Sequence, residues 1–167
     1  MALIRARCVV LFAFVATLVP MAFAASSLTF GAKLIGANEV PMNGFLTVAA
    51  GDTIGTGDMQ LNIYTTNGVP TEVGYNVRLS KLQGMMPPIM THVHRGSKGT
   101  NGPLVLNLPC VYWQISTTDW SCMGKLVVTE AVLPAVKGIL ANPNEFHGNI
   151  HTVKYVNGAV RGQLERR

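Results

Sequence analysis

The stretch THVHRGSKGTNGPLVL, residues 91–106, contains the most informative pattern in the sequence. It places His92 and His94 two positions apart at the end of an apolar run, and a glycine-rich turn and a second β-like run follow directly. Residues i and i+2 of a strand share a face, about 6.5–7 Å apart, so the two imidazoles would point the same way. The other histidines, His147 and His151, lie close together near the C-terminus. We therefore expect the two histidine motifs to meet in the folded chain.

Short apolar runs extend outward from this stretch in both directions. Period-two alternation or a short apolar run occurs at residues 28–34, 55–64, 73–79, 89–94, 104–108 and 126–128. Asn157-Gly158 is typical of a two-residue turn, here between runs at 150–156 and 159–165. Residues 134–140 form one short helical segment, and Pro134 suits its first turn. The pattern predicts an all-β fold, an antiparallel sandwich or barrel.

The N-terminus has the features of a secretory signal peptide. Arg5 and Arg7 precede an apolar run at 8–19, and Ala22-Phe23-Ala24 has the small-x-small form of a cleavage site. The run is shorter than the roughly 20 residues of a membrane span, which favours a signal peptide over an anchor. We therefore predict a signal peptide at 1–24, a single domain at 25–167, and a secreted, extracellular protein, or a periplasmic one if the source is bacterial.

Charge and apolar content exclude two classes of partner. Removing Arg5 and Arg7 lowers the formal net charge from +5 to +3, and the remaining cations are scattered, which is unlike a nucleic-acid-binding surface. No later stretch is apolar enough to span a membrane.

Cysteine usage agrees with export. Cys8 leaves with the predicted signal peptide, and the mature chain keeps Cys110 and Cys122. Two cysteines in a secreted domain predict one disulfide, although two free thiols are the alternative. Metal binding by this pair is less favoured, because no histidine lies between or beside them. We expect the bond to close a long loop at residues 109–124.

Five separated motifs occur in order along the mature chain: LIGANEVP at 34–41, HVHRG at 92–96, NGPLV at 101–105, NIHT at 149–152 and GAVRGQL at 158–164. Together they resemble the CHRD domain, the module repeated in chordin and found singly in many secreted proteins. The chain departs from the family pattern at Met42, where a second proline is common, and at His147, where tyrosine is usual. The resemblance implies a β-sandwich similar to the immunoglobulin or copper–zinc superoxide dismutase architecture.

The two histidine motifs suggest a metal site. His92-x-His94 resembles the copper ligands of copper–zinc superoxide dismutase, in which a third histidine comes from a distant strand, and His151 is the candidate here. Imidazole suits copper and zinc. His147 would join the site only if the chain bends at Gly148. The alternation of the expected last hairpin places His151 on the core side, however, whereas His92 and His94 point outward.

Two functions follow from these patterns. The first is an extracellular binding or interaction module for an unidentified protein or small ligand, in which the histidines only hydrogen-bond loops. The second is a histidine-ligated copper protein with a redox or superoxide-handling role. Catalysis is less favoured, because no nucleophile–base pair or paired carboxylates are visible. The zinc ligands of superoxide dismutase also lack a counterpart.

The sequence also supports predictions for the methionines before His92 and for the partner of Arg161. Met85, Met86 and Met90 precede His92, and their thioethers either suit Cu(I) or fill gaps in a core. Arg161 would lie opposite Lys154 in the expected hairpin. Like charges opposed across a ladder are unfavourable, so we expect an acidic partner for Arg161, either Glu39 or Glu145. Structural roles are therefore predicted for Glu39, Arg161 and Gly162.

Overall fold

A computed structural model describes residues 24–41, 51–84 and 87–167. The predicted signal peptide lies outside the described residues apart from Ala24, and Met42, Met85 and Met86 lie outside them as well. Within these ranges, no helix is long and apolar enough to cross a membrane.

The described chain is built mainly from strands. They are β1 Ala25–Ile35, β2 Thr56–Thr66, β3 Val69–Ser80, β4 Met90–Arg95, β5 Leu104–Asn107, β6 Trp113–Gln114, β7 Trp120–Val127, β8 Phe146–His151, β9 Val160–Gln163 and β10 Glu165–Arg166. One α-helix, α1 Leu133–Ala141, and two single 3-10 turns, Gly36–Asn38 and Pro143–Glu145, complete the order. The prediction of an all-β fold with one short helical segment is confirmed.

The strands form one antiparallel sheet in the order β5-β4-β8-β9-β1-β2-β3-β7-β6, and β10 pairs with β1. Its two halves meet where β1 joins β9, through the single pair Ile35 and Arg161. The sheet curls, so the halves cover one another as the layers of a sandwich do. The histidine strands β4 and β8 belong to the smaller half.

The core confirms the alternation that the sequence predicts. Phe30, Leu34, Leu61 and Val77 on β1 to β3 are at most 1% exposed. Side chains of the smaller half, such as Val93 and Ile150, join the same cluster. Burying an aliphatic side chain of this size contributes about 1.5–3 kcal/mol. The core thus holds β4 and β8 firmly against the larger half.

The predicted antiparallel pairing of the last two runs is present as β8 and β9, but the two-residue turn at Asn157-Gly158 is wrong. Strand β8 ends at His151, and residues 152–159 form a loop instead of a strand and a tight turn. The Thr152 hydroxyl accepts the Tyr155 N–H at 3.1 Å, and the Tyr155 carbonyl accepts the Gly158 N–H at 3.1 Å. These local bonds use the backbone groups that a ladder would need. Arg161 consequently opposes Asn149, and not Lys154.

The disulfide is confirmed, but the long loop around it is not. Cys110 and Cys122 are bonded, with their Cα atoms 5.6 Å apart. Strand β7 begins at Trp120, inside the expected loop, and pairs with β3 from Leu79 onward. Trp120, Ser121 and Cys122 are buried in succession at the start of this strand. Because burial does not alternate there, the sequence pattern does not reveal the strand.

Removing the disulfide should destabilise the protein. We expect the double variant Cys110→Ala/Cys122→Ala to lose about 3 kcal/mol of unfolding free energy, as estimated for a loop of this size from chain entropy. Urea unfolding of the variant and the oxidised protein measures this. Hydrogen exchange should rise around β6 more than in β1 and β2, since the bond closes only that segment. Equal unfolding midpoints would contradict the expectation.

Candidate metal centre

The pairing of β4 with β8 brings all four histidines to one face of the sheet. His92 lies opposite Asn149, His94 opposite His147, and Met90 opposite His151. Between them, Val93 and Ile150 face the core and are fully buried. Because successive side chains of a strand alternate, the imidazoles project from the other face. The two motifs therefore meet as the sequence analysis expected.

The expectation that His151 faces the core is wrong. It assumed one strand from 150 to 156, in which His151 shares a face with Val153 and Tyr155. Strand β8 stops at His151, so those two residues do not set its face. His147 would have needed a bend at Gly148 to join the site. There is no such bend, since β8 runs unbroken from Phe146 to His151.

Three of the histidines converge on one point. One ring nitrogen from each of His92, His94 and His151 lies within 4.8 Å of the other two. The His92 ring centroid is 5.6 Å from that of His94 and 5.1 Å from that of His151. Nitrogens bound to one ion at about 2.0–2.1 Å would be roughly 3.5 Å apart, so the rings would close by about 1 Å. Among the described residues, no other cluster of three or more histidine, cysteine or acidic side chains has this geometry.

Backbone carbonyl groups fix the tautomers of two of these rings. Nδ1 of His94 lies 2.9 Å from the Gly102 carbonyl oxygen, and Nδ1 of His151 lies 2.9 Å from that of Val156. A carbonyl oxygen only accepts, so each Nδ1 carries the proton and each Nε2 keeps its lone pair. Both Nε2 atoms are buried and have no hydrogen-bond partner. Metal-ligating histidines are commonly anchored in this way through the other ring nitrogen.

His147 has a different role. Its ring stacks on that of His94, with the centroids 5.3 Å apart and the planes 8° from parallel. Its Nδ1 donates to the Gly96 carbonyl oxygen at 3.1 Å. It does not belong to the group of three converging nitrogens. The ring thus packs against one candidate ligand and holds the loop above the sheet.

Burial lowers the pKa of three of the histidines, His92, His147 and His151. It lowers the pKa of His92 to about 4, and the nearby His151 and His94 lower it further. Burial likewise lowers the pKa of His147 to about 4 and shifts that of His151 downward. Only neutral imidazole binds a metal, so these rings are in the ligating state at neutral pH.

A polar network lies beside the histidines. The Asn149 amide nitrogen donates to both carboxyl oxygens of Glu39, at 3.0 and 3.2 Å. Burial raises the pKa of Glu39 to about 7, although the Arg161 charge and the Asn149 hydrogen bond both lower it. Neither Asn149 nor its amide contacts were anticipated from the sequence, where Asn149 marks only one position of a family motif.

The acidic partner expected for Arg161 is absent at contact distance. No described carboxylate forms a salt bridge with it, and Glu145 pairs with Arg95 at 3.3 Å instead. Arg161 is 2% exposed, and its guanidinium donates to the carbonyl oxygens of Ser97 and Thr100 at 3.2 and 2.7 Å. The loop at residues 96–102 satisfies this cation, while Glu39 acts on it through space.

Gly162 allows close packing of strands. It pairs with Gly148 across β9 and β8, and a Cβ atom there would lie 2.1 Å from the Lys33 carbonyl oxygen. No side chain fits in that space. The position is therefore determined by the approach of β1 to β9, next to the pair that joins the two halves of the sheet.

A cleft opens above the histidines. Its volume is about 510 Å³, and His94, His151, Asn149, Asn101 and Val156 are among the residues that line it. None of the described residues that line it is charged. Two of the three converging imidazoles, those of His94 and His151, thus line this cleft.

These shifts predict how stability depends on pH in metal-free protein. Since the folded-state pKa of His92 and His147 lies below the ordinary histidine value of 6.5, unfolding takes up protons and stability should fall as pH falls from about 6.5 to 4. Glu39 acts oppositely, because its folded pKa is raised from 4.5 to about 7, so its contribution is lost as pH rises from about 4.5 to 7. Stability should peak near pH 6.5.

Urea midpoints measured in EDTA across pH 4 to 8 would show this maximum. The variant Glu39→Gln should flatten the decline above the peak while keeping the loss on the acid side. A midpoint that rises steadily as the pH is lowered below 6 would contradict the assignment of neutral, buried histidines.

Family comparison covers most of the chain. The CHRD domain matches residues 30–164, which include β4, β8 and the three converging histidines. No curated protein and no solved structure matches the chain. Because the match spans far more than half of its length, this chain belongs to the CHRD domain family.

Proposed function

We propose that this protein is an extracellular binding module whose ligand is a Cu(II) or Zn(II) ion held by His92, His94 and His151. The observation that carries the proposal is the pair of buried, unpartnered Nε2 atoms of His94 and His151. Leaving such an acceptor without a partner costs about 1–3 kcal/mol. An ion at the point of convergence would satisfy both atoms and the third nitrogen together.

The hydrogen-bond pattern allows the same rings to anchor loops and to bind a metal. Histidines that only held loops would use Nδ1, as His94 and His151 do toward Gly102 and Val156. The loop contacts leave Nε2 of each ring unused, and these two atoms belong to side chains that converge with His92. Loop anchoring and metal binding are therefore compatible functions of the same rings.

The choice of metal follows from the donor atoms. Three imidazole nitrogens suit copper and zinc, whereas magnesium and calcium take oxygen ligands. A two-metal centre of the superoxide dismutase type is not supported, because the described residues supply no second ligand cluster. An extracellular location is favoured by the predicted signal peptide, the disulfide and the family. The protein would then encounter copper and zinc outside the cell.

Metal titration of histidine variants tests the proposal. We expect the purified mature protein to bind one equivalent of Cu(II) or Zn(II), and His92→Ala, His94→Ala or His151→Ala to abolish stoichiometric binding. Isothermal titration and elemental analysis after dialysis measure both. The affinity loss should exceed the roughly 10- to 100-fold typical of changes to groups that only support a ligand.

The matched control is His147→Phe, which keeps an aromatic ring beside His94 but removes both nitrogens. This variant should retain stoichiometric binding, with an affinity within about tenfold of wild type, as for a supporting group. If wild-type protein binds neither metal, or if His94→Ala binds as tightly as wild type, the histidines serve only the loops.

A further inference from the structure

A third buried acceptor lies beside the two imidazole nitrogens. Asn149 is opposite His92 in the sheet and is 6% exposed, and its Oδ1 has no hydrogen-bond partner. Its NH2 group faces Glu39, whose carboxyl oxygens lie 3.0 and 3.2 Å from Nδ2. An amide nitrogen only donates, so both carboxyl oxygens accept from it and Oδ1 points away from Glu39.

The unpartnered atoms are concentrated at this place. Among the described residues, four buried side-chain nitrogen or oxygen atoms lack a partner, and three of them belong to His94, His151 and Asn149. All three residues line the same cleft. Two of these atoms are imidazole nitrogens, whose lone pairs suit a metal. The amide oxygen is a hydrogen-bond acceptor, and it requires an N–H or O–H group.

We propose that the metal carries an exchangeable fourth ligand that donates a hydrogen bond to Oδ1 of Asn149. In the resting protein this ligand is water. The position accepts small uncharged molecules with an N–H or O–H group, such as water, ammonia or hydroxylamine, in preference to anions that only accept, such as azide. This inference rests on the proposed metal site.

The cleft supports this class of ligand. No described residue that lines it carries a charge, so the lining adds no cation to the metal itself for attracting an anion. Its walls near the histidines include Asn101, Asn157 and Val156. Three protein ligands with an open fourth position are typical of metal sites that bind an external molecule, whereas structural sites are closed by a fourth side chain.

Met90 is the side chain that could close the site instead. It lies opposite His151 and two residues before His92, on the same face, and it is 40% exposed. A thioether suits copper. A Met90 ligand, however, would leave the Asn149 acceptor without a donor. The geometry therefore favours the exchangeable ligand.

The test uses wild-type protein loaded with one equivalent of Cu(II). After transfer to D2O, pulsed electron paramagnetic resonance should detect strongly coupled deuterons of a bound water. The ratio of ammonia affinity to azide affinity should be higher for the protein-bound metal than for aqueous Cu(II). Azide binding is followed by its charge-transfer absorption.

Replacing the acceptor should reverse this preference. In Asn149→Leu, azide affinity should rise about two- to tenfold, the range expected when one hydrogen bond no longer favours water, with both proteins loaded with one equivalent of Cu(II). Asn157→Leu, at an exposed residue of the same cleft, should leave azide affinity as in wild type. If Asn149→Leu does not fold because Glu39 loses its donor, the double variant Glu39→Leu/Asn149→Leu removes both partners and should show the same rise.

The outcomes separate the two proposals. Failure of wild-type protein to bind Cu(II) overturns the metal site itself. Stoichiometric Cu(II) binding without coupled deuterons overturns only the exchangeable ligand, and their appearance in Met90→Leu would then identify the thioether as the fourth ligand. Equal azide affinity in wild type and Asn149→Leu overturns the role of Asn149.

Discussion

The buried guanidinium of Arg161 is the contact on which the outer face of the smaller half-sheet depends. It binds Ser97, Thr100 and Asn101 at the tip of the loop that covers this face. The same residue joins β9 to β1 through its pair with Ile35. A single side chain therefore links the junction of the two half-sheets to the loop over the histidines. Arginine suits this position because its planar group offers five donors in fixed directions, which a lysine ammonium does not.

The loop in turn orients the imidazoles. The carbonyl oxygens of Gly96 and Gly102, at its two ends, accept from His147 and His94, and Gly96 also accepts from Gln163 at 2.8 Å. Its conformation thus sets which nitrogen of each ring carries a proton. The same hydrogen bonds order the loop and orient the His94 and His147 rings. A change in the loop conformation would therefore alter the orientation of these rings.

The sequence predicts the strands well where one face is buried and the other is not. Residues 28–34, 55–64 and 73–79 have clear alternation, and apart from Gly55 each run lies within a strand of the larger half. The prediction fails at Trp120–Cys122, where three successive residues are buried, and at 152–159, where side-chain and local backbone bonds replace a ladder. Alternation reports burial on one face, and it carries no information where both faces are covered or where local bonds compete.

The common face of His92 and His94 was predictable from the sequence, but the face of His151 and the surroundings of the site were not. His-x-His on a strand fixes a common face for two rings, which is a local property, whereas the face of His151 depends on where β8 ends. The partners of Arg161 and Asn149 lie 60 to 110 residues away in sequence, so no local pattern reveals them.

The placement of Glu39 shows how the site tolerates a buried carboxyl group. Removing it from water favours the protonated form and raises its pKa to about 7, while Arg161 supplies a compensating charge without direct contact. A closer ion pair would draw the guanidinium away from Ser97 and Thr100, and the loop would lose its anchor. A hydrophobic residue in place of Glu39 would remove the desolvation cost but leave the Asn149 amide free to rotate. The carboxyl group thus lies here at some cost in stability, and it accepts from the NH2 end of the Asn149 amide, which leaves Oδ1 without a partner.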